Sequence, residues 1–188
     1  MLSEPTLAPA KINLALHVTG QRDDGYHLLD SLVVFAGVGD TISARASTNL
    51  TLSVTGPFAE GVPTDGRNLV LQAAELLRRS RDVRLGAHIT LKKVLPHAAG
   101  IGSGSSDAAA TLDLLSRLWK VDPLPVDDAQ VVGLGADVPV CRRAPSPVRM
   151  EGIGDKMGNL PRLPDCAMVL VNPGEAVPTA QVFGALAT

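Results

Sequence analysis

Apolar and polar residues alternate with the period of a half-buried strand in several stretches of this chain. In 10–19, Ile12, Leu14, Leu16 and Val18 alternate with Lys11, Asn13, Ala15, His17 and Thr19. The pattern predicts a strand whose apolar face is buried, with Lys11 and Asn13 sharing the other face about 7 Å apart by strand rise. After the polar turn Gln21-Arg-Asp-Asp-Gly25, Tyr26 and His27 lead into a second apolar strand ending near Phe35. Gly37-Val-Gly-Asp40 reads as a hairpin-type break. Further strands are expected around 41–46, 49–55 and 86–94.

The helical period then takes over. Leu69, Ala73, Leu76 and Leu77 fall on one face of a helix running to Ser80, with Asn68 placed as its N-cap. Leu112, Leu115, Leu118 and Trp119 give a helix over Asp107–Lys120, and 126–132 suits a short one. Cys166–Val171 reads as an apolar strand closed by Asn172-Pro-Gly174, and Pro178–Leu186 as the opening of a helix. Strands gathered early and helices later predict an α+β fold rather than a regular βαβ series.

Composition sharpens this. The 188 residues are 45% hydrophobic and 19% charged, with 18 glycines and 14 prolines, a turn-rich globular balance. Three Phe, one Tyr and one Trp make the core aliphatic and leave few rings for polar chemistry. A formal charge of −2 without a basic stripe argues against a polyanion partner, so no nucleic acid is expected. Cys141 and Cys166 lie in no CxxC or Cys/His cluster, and the histidines lack ligand spacing; free thiols and no protein-held metal follow. The first ten residues lack a basic region followed by an apolar one, and no apolar run approaches a membrane span. A cytoplasmic protein without a membrane partner is the expectation.

The sharpest feature is Leu95-Pro-His-Ala-Ala-Gly-Ile-Gly-Ser-Gly-Ser-Ser-Asp-Ala-Ala-Ala-Thr111. Gly100, Gly102 and Gly104 clear alternate side chains from the backbone, and Ser105 and Ser106 open a helix, where free amides and the helix dipole favour phosphate. No lysine follows Gly104, so this is not a Walker loop, and Ser105 stands where the dinucleotide fingerprint wants glycine. The residues alone also allow a plain glycine-rich connection capped by serine.

The whole stretch resembles the phosphate loop of the GHMP small-molecule kinases. Pro9-Ala-Lys-Ile-Asn-Leu14, Asp24-Gly-Tyr-His-Leu28, Leu134-Gly-Ala-Asp-Val-Pro139, Glu151-Gly-Ile-Gly154, Val171-Asn-Pro-Gly174 and Pro178-Thr-Ala-Gln-Val-Phe183 follow the family order. Within the loop, Ala99 and Ser103 stand where many relatives have glycine. The resemblance implies a GHMP kinase N-terminal domain (ribosomal protein S5 domain 2-like) over 1–159. The start of a second α+β domain over 160–188 follows, and relative to the family the sequence is C-terminally truncated.

It also implies an activity: ATP-dependent phosphorylation of the 2-hydroxyl of 4-diphosphocytidyl-2-C-methyl-D-erythritol, in non-mevalonate isoprenoid precursor biosynthesis. Lys11 and Asp137 would be catalytic. Pro96, Gly100, Ile101, Gly102, Ser103, Gly104, Ser105 and Ser106 would hold the phosphates of ATP, with Asn68 and Lys93 near its base. Asn13, Tyr26, His27, Thr179 and Phe183 would bind the cytidyl diphosphate alcohol. Mg²⁺ would arrive with ATP as co-substrate, with no tightly held cofactor and no protein metal site. Alone, Lys11 and Lys93 also read as solvated lysines, Asn68 as a plain cap, Asp137 as a turn residue and Phe183 as core. Another GHMP-type kinase, or a nucleotide-binding module without turnover, remain the alternatives.

Overall fold

The computed structural model describes residues 3–97, 99–161, 163–174, 182, 184 and 185. Its elements, in sequence order, are β1 (Thr6–Gln21), β2 (His27–Ser47), β3 (Thr51–Thr55), α1 (Leu69–Ser80), β4 (Gly86–Lys92) and α2 (Ser103–Trp119). Then come α3 (Ala129–Leu134), α4 (Val138–Cys141), β5 (Val148–Gly152) and β6 (Lys156–Asn159). The fold is α+β, as the pattern predicts.

β2 organises the sheet. β1 pairs antiparallel along one of its edges, while the other edge carries β5 over Leu29–Val33 and β4 over Thr41–Ser47. β3 joins β4 in parallel through α1, the helical crossover that a parallel pair requires. Helices α1 and α2 pack on each other, and α2 lies on β1 and β2. Val33, Ile42, Ile89 and Leu91 of the sheet meet Val70, Ala73 and Leu77 of α1 and Ala108, Leu112 and Leu115 of α2 in one aliphatic core. Trp119 closes its end, its indole N–H donating to the Gly86 carbonyl at 3.4 Å.

Local chemistry explains the helix starts. Asn68 caps α1, its side-chain oxygen accepting from the Val70 amide at 2.9 Å, as expected. α2 begins at Ser103, four residues before the predicted Asp107. Gly102 turns left-handed there (φ 61°, ψ 24°), and the helix start has no side-chain cap.

Five expectations need correction. First, β2 runs unbroken through Gly37–Asp40, because β1 continues beside it: Gly39 pairs with Pro9 and Asp40 with Ala8. An ideal Cβ at Gly39 would stand 2.3 Å from the Ala8 carbonyl oxygen, so glycine serves the close pairing rather than a turn. Second, the outer half of β1 buries neither face: Leu14, Leu16 and Val18 are 48%, 43% and 40% exposed, and Ala15, His17 and Thr19 are exposed too. Register shifts at Pro9/Lys11, Asn13/Ala15 and Val18/Gly20 break strict alternation, so that Leu16, opposite Ser31, and Val18, opposite Leu29, fall on the same face as Asn13, opposite Val33. Third, Cys166–Val171 forms no strand, having no ladder partner among the described residues. Fourth, β5 and β6 form where no strand was expected. Fifth, the short helix occupies 129–134 rather than 126–132, starting after Asp128, which caps it through the Gln130 amide. The Pro178–Leu186 helix lies outside the described residues except at 182, 184 and 185.

Candidate active site

Lys11 is the centre of the site. Its backbone amide donates to the Ile101 carbonyl at 3.0 Å, tying β1 to the glycine loop. Its stem runs under Gly102, where an ideal Cβ would meet Lys11 Cε at 3.0 Å and Cβ at 3.3 Å. Gly102 is therefore required twice, for its positive φ and for the space the lysine fills. The lysine side chain is 5% exposed, and its ammonium reaches two partners: Asn13 Oδ1 at 2.9 Å and Asp137 Oδ1 at 3.4 Å.

A buried hydroxyl fixes the direction of this network. Ser31 Oγ donates to the Ala15 carbonyl at 2.7 Å and accepts from Asn13 Nδ2 at 2.6 Å. Its single proton being committed, Ser31 obliges the Asn13 amide to present Nδ2 inward and Oδ1 toward the lysine. Asn13, Lys11 and Asp137 are thus assembled from strand alternation on β1 and from the start of α4.

Asp137 stands at the N-terminus of α4, where its carbonyl accepts from the Cys141 amide at 3.0 Å and Pro139 follows in the first turn. The β5–β6 turn supports it from behind. Gly154 (φ 104°) would place a Cβ 3.4 Å from the Ala136 carbonyl oxygen. Unlike its buried lysine partner, Asp137 is 36% exposed and open to a ligand. Cys141, one turn on, is buried; burial, with Asp137 adding to it, pushes its thiol up to about 12, so it is inert.

The loop wraps around this pair. Gly100 and Gly102 both have positive φ, and the uncapped start of α2 leaves the amides of Ser103, Gly104 and Ser105 without an intrahelical acceptor. Ser106, whose amide donates to the Gly102 carbonyl at 2.9 Å, has a buried hydroxyl with no hydrogen-bond partner. Gly135, two residues before Asp137, lies 3.7 Å (from an ideal Cβ) from Ser105 Oγ, so the loop and the aspartate face the same space. Beside them opens a groove of about 1090 Å³, bordered by Val34–Val38 of β2, by Pro96 and Ile101, and by residues 163–172. It adjoins the lysine–aspartate pair without containing it.

Other expected site residues fall elsewhere. Asn68 is occupied by the fold: besides capping α1 it donates through Nδ2 to the Pro63 carbonyl at 2.7 Å. Lys93, expected near the base of ATP, is 2% exposed and held between Asp40 and Asp107 rather than solvated. Tyr26 is 62% exposed at the tip of the β1–β2 hairpin, with His27 next to it. His27 opens β2 four residues before Ser31, about 13 Å along the strand from the Asn13 end of the network. Thr179 and Phe183 lie outside the described residues. Among the described residues, no group of three or more His, Cys, Asp or Glu is placed to hold a metal.

Sequence reasoning missed Ser31, Asp40 and Asp107. Asp107 carried a faint signal, a charge following Ser105-Ser106 in a run of small residues. Ser31 carried only the interruption of an apolar strand.

Residues 68–145, which span α1 to α4, match the family described as GHMP kinases N terminal domain. The chain is 57% identical over 179 residues to a 4-diphosphocytidyl-2-C-methyl-D-erythritol kinase of Ruegeria pomeroyi, an alignment covering 95% of this chain and 62% of that protein. It is 56% identical over 180 residues to the kinase of the same name from Paramagnetospirillum magneticum, again covering 62% of it. The chain thus spans about three fifths of the length of these relatives. A crystal structure of 4-(cytidine 5'-diphospho)-2C-methyl-D-erythritol kinase superposes with a TM-score of 0.75 at 33% identity, over 97% of this chain and 64% of that one. Homoserine kinase from Cytophaga hutchinsonii, at 16% identity and a TM-score of 0.59, shares the fold. By its loop, its fold and these relatives, the chain is similar to the GHMP kinases.

Proposed function

We propose that the chain supplies the loop and the lysine–aspartate pair of an ATP-dependent kinase acting on the 2-hydroxyl of 4-diphosphocytidyl-2-C-methyl-D-erythritol. The observation that carries this reading is the Lys11–Asp137 contact at 3.4 Å, set under a glycine loop whose helix amides are free. Phosphoryl transfer asks mainly for positioning and charge neutralisation. The amides of Ser103–Ser105 cradle the phosphates of ATP, and the Lys11 ammonium faces the charge that spreads over the transferred group. Asp137 accepts the proton of the substrate hydroxyl as its oxygen bonds to the γ-phosphorus and the bond to the ADP oxygen breaks. Asn13 aims the lysine. Mg²⁺ enters with ATP, carried by phosphates and water, and no tightly held cofactor takes part.

Tyr26 offers an exposed ring to stack on a cytosine, and His27 an imidazole beside it; the resemblance to the family assigns Thr179 and Phe183 to the same substrate. The names of the relatives support the choice of a cytidyl diphosphate alcohol over other GHMP substrates. The same reading assigns 1–159 to the N-terminal domain and 160–188 to the start of a second one. It puts the protein in the cytoplasm, with small molecules rather than nucleic acid or membrane as partners. ADP release by the full chain is the test. Release with the cytidyl alcohol and not with homoserine or mevalonate is expected, and the reverse preference overturns the substrate assignment.

A further inference from the structure

Under the loop lies a charged cluster for which the proposed transfer has no use. Lys93 follows β4, Asp40 belongs to β2 and Asp107 to α2, and all three are buried. The Lys93 ammonium donates to Asp40 Oδ2 at 2.5 Å and to Asp107 Oδ2 at 2.9 Å. Asp40 Oδ1 in turn accepts the Val94 amide at 2.5 Å and the Leu95 amide at 2.8 Å. One end of the loop therefore hangs from Asp40 and the other from Lys93, making a clasp across residues 94–107.

Two carboxylates on one ammonium leave a surplus negative charge inside the domain. It is poorly solvated: Asp107 Oδ1 has no hydrogen-bond partner, and neither has the neighbouring Ser106 Oγ. A buried acid with an orphaned oxygen favours its neutral form. Accordingly burial pushes the Asp107 carboxyl up to about 7, opposed by Lys93 and aided by Asp40. The other ionisable groups near it cannot cancel the charge. Cys141 of α4 stays a neutral thiol, and Lys11 of β1 is turned to Asn13 and Asp137.

We propose that this clasp takes up a proton at Asp107 when the phosphates of a nucleotide occupy the loop. The inference rests on the reading of the loop as a phosphate cradle. The anion would sit on the amides of Ser103–Ser105, within one helical turn of Asp107, and a like charge at that range favours the protonated carboxyl. The proton comes from solvent. By reciprocity, nucleotide affinity rises as pH falls through neutrality. Lys93 is then a positioning residue, acting on the nucleotide through the loop rather than touching its base.

Calorimetric titration of the full chain with MgADP at pH 7.5, in buffers of different ionisation enthalpy, measures the proton stoichiometry. For a shift of about one unit on binding, the protein takes up about half a proton more than Asp107→Asn. Equal stoichiometry in two proteins that both bind MgADP overturns the proposal and leaves the loop reading intact. No binding by the unsubstituted protein overturns the loop reading and the proposal with it. Should Asp107→Asn fail to fold, carboxyl-carbon NMR of the unsubstituted protein decides. One aspartate titrating near neutrality should move upward with MgADP, and its staying fixed overturns the proposal.

Discussion

Gly102→Ala separates the two tasks assigned to that glycine. At φ 61° an alanine incurs the left-handed cost, about 1–2 kcal/mol. Its methyl also lands 3.0 Å from Lys11 Cε. Ordinary carbon contacts lie near 3.5–4.0 Å, so the lysine stem retreats by roughly half an ångström. The ammonium cannot follow without loosening its bonds to Asn13 at 2.9 Å and Asp137 at 3.4 Å. A misplacement of about 1 Å costs on the order of a hundredfold in rate, so half of that predicts a fall in kcat of roughly tenfold. Gly61→Ala is the control. Its φ of 76° imposes the same backbone cost, but nothing lies within 4 Å of the new methyl. Steady-state phosphoryl transfer and thermal unfolding are measured on both. Both variants lose several degrees of Tm, but only Gly102→Ala loses turnover. Equal kcat in the two would refute the coupling of loop geometry to the lysine.

Other consequences are as direct. Ser31→Ala removes the acceptor that orients Asn13, costing about 1–3 kcal/mol of stability by denaturant unfolding. It also lowers kcat more than it raises KM for either substrate; an unchanged kcat would show that the amide holds its direction without Ser31. Tyr26→Ala, at a 62% exposed residue, leaves stability within about 0.5 kcal/mol. It removes a stacking surface worth about 1–3 kcal/mol, raising KM for the cytidyl substrate about five- to 150-fold with KM for ATP unmoved. Asp107, raised in the folded state to about 7 from 3.8, makes the folded protein bind more protons than the unfolded one between those values. Stability therefore falls as pH rises through that window and levels off above it. Asp107→Asn flattens the slope in denaturant midpoints measured from pH 4 to 8, and identical slopes would place the titrating group elsewhere.

What the sequence disclosed follows the range of the forces involved. α1 was legible because its cap and its apolar stripe are both local: Asn68 bonds the amide two residues on. The start of α2 was not, since Ser103, Gly104 and Ser105 are poor helix formers, and the turn at Gly102 sets the boundary. Gly39 looked like a turn residue because only the neighbouring strand, 2.3 Å from an ideal Cβ at Ala8 O, reveals why it is glycine. Lys11 and Asn13 were placed on one face by the strand period and do meet, at 2.9 Å. The register shift between Asn13 and Ala15, which moves Leu16 and Val18 to the face of Asn13, is set by pairing with β2, which alternation cannot encode. Lys93 and Asp40 lie 53 residues apart, and no local pattern distinguishes their buried pair from two surface charges. The solvated reading that Lys93 allows when taken alone does not hold, because the residue is interior.

In the proposed reaction Asp137 takes a proton from a cytidyl diphosphate alcohol while Lys11 steadies the transferred phosphoryl group. Single-turnover transfer from γ-labelled ATP, with the product identified by phosphorus NMR, tests it most directly. One new phosphomonoester on the 2-hydroxyl of the cytidyl substrate is expected, with a loss of about 10²–10⁴ in rate for Asp137→Asn and nucleotide binding retained. A phosphorylated product formed at the same rate by Asp137→Asn would contradict it.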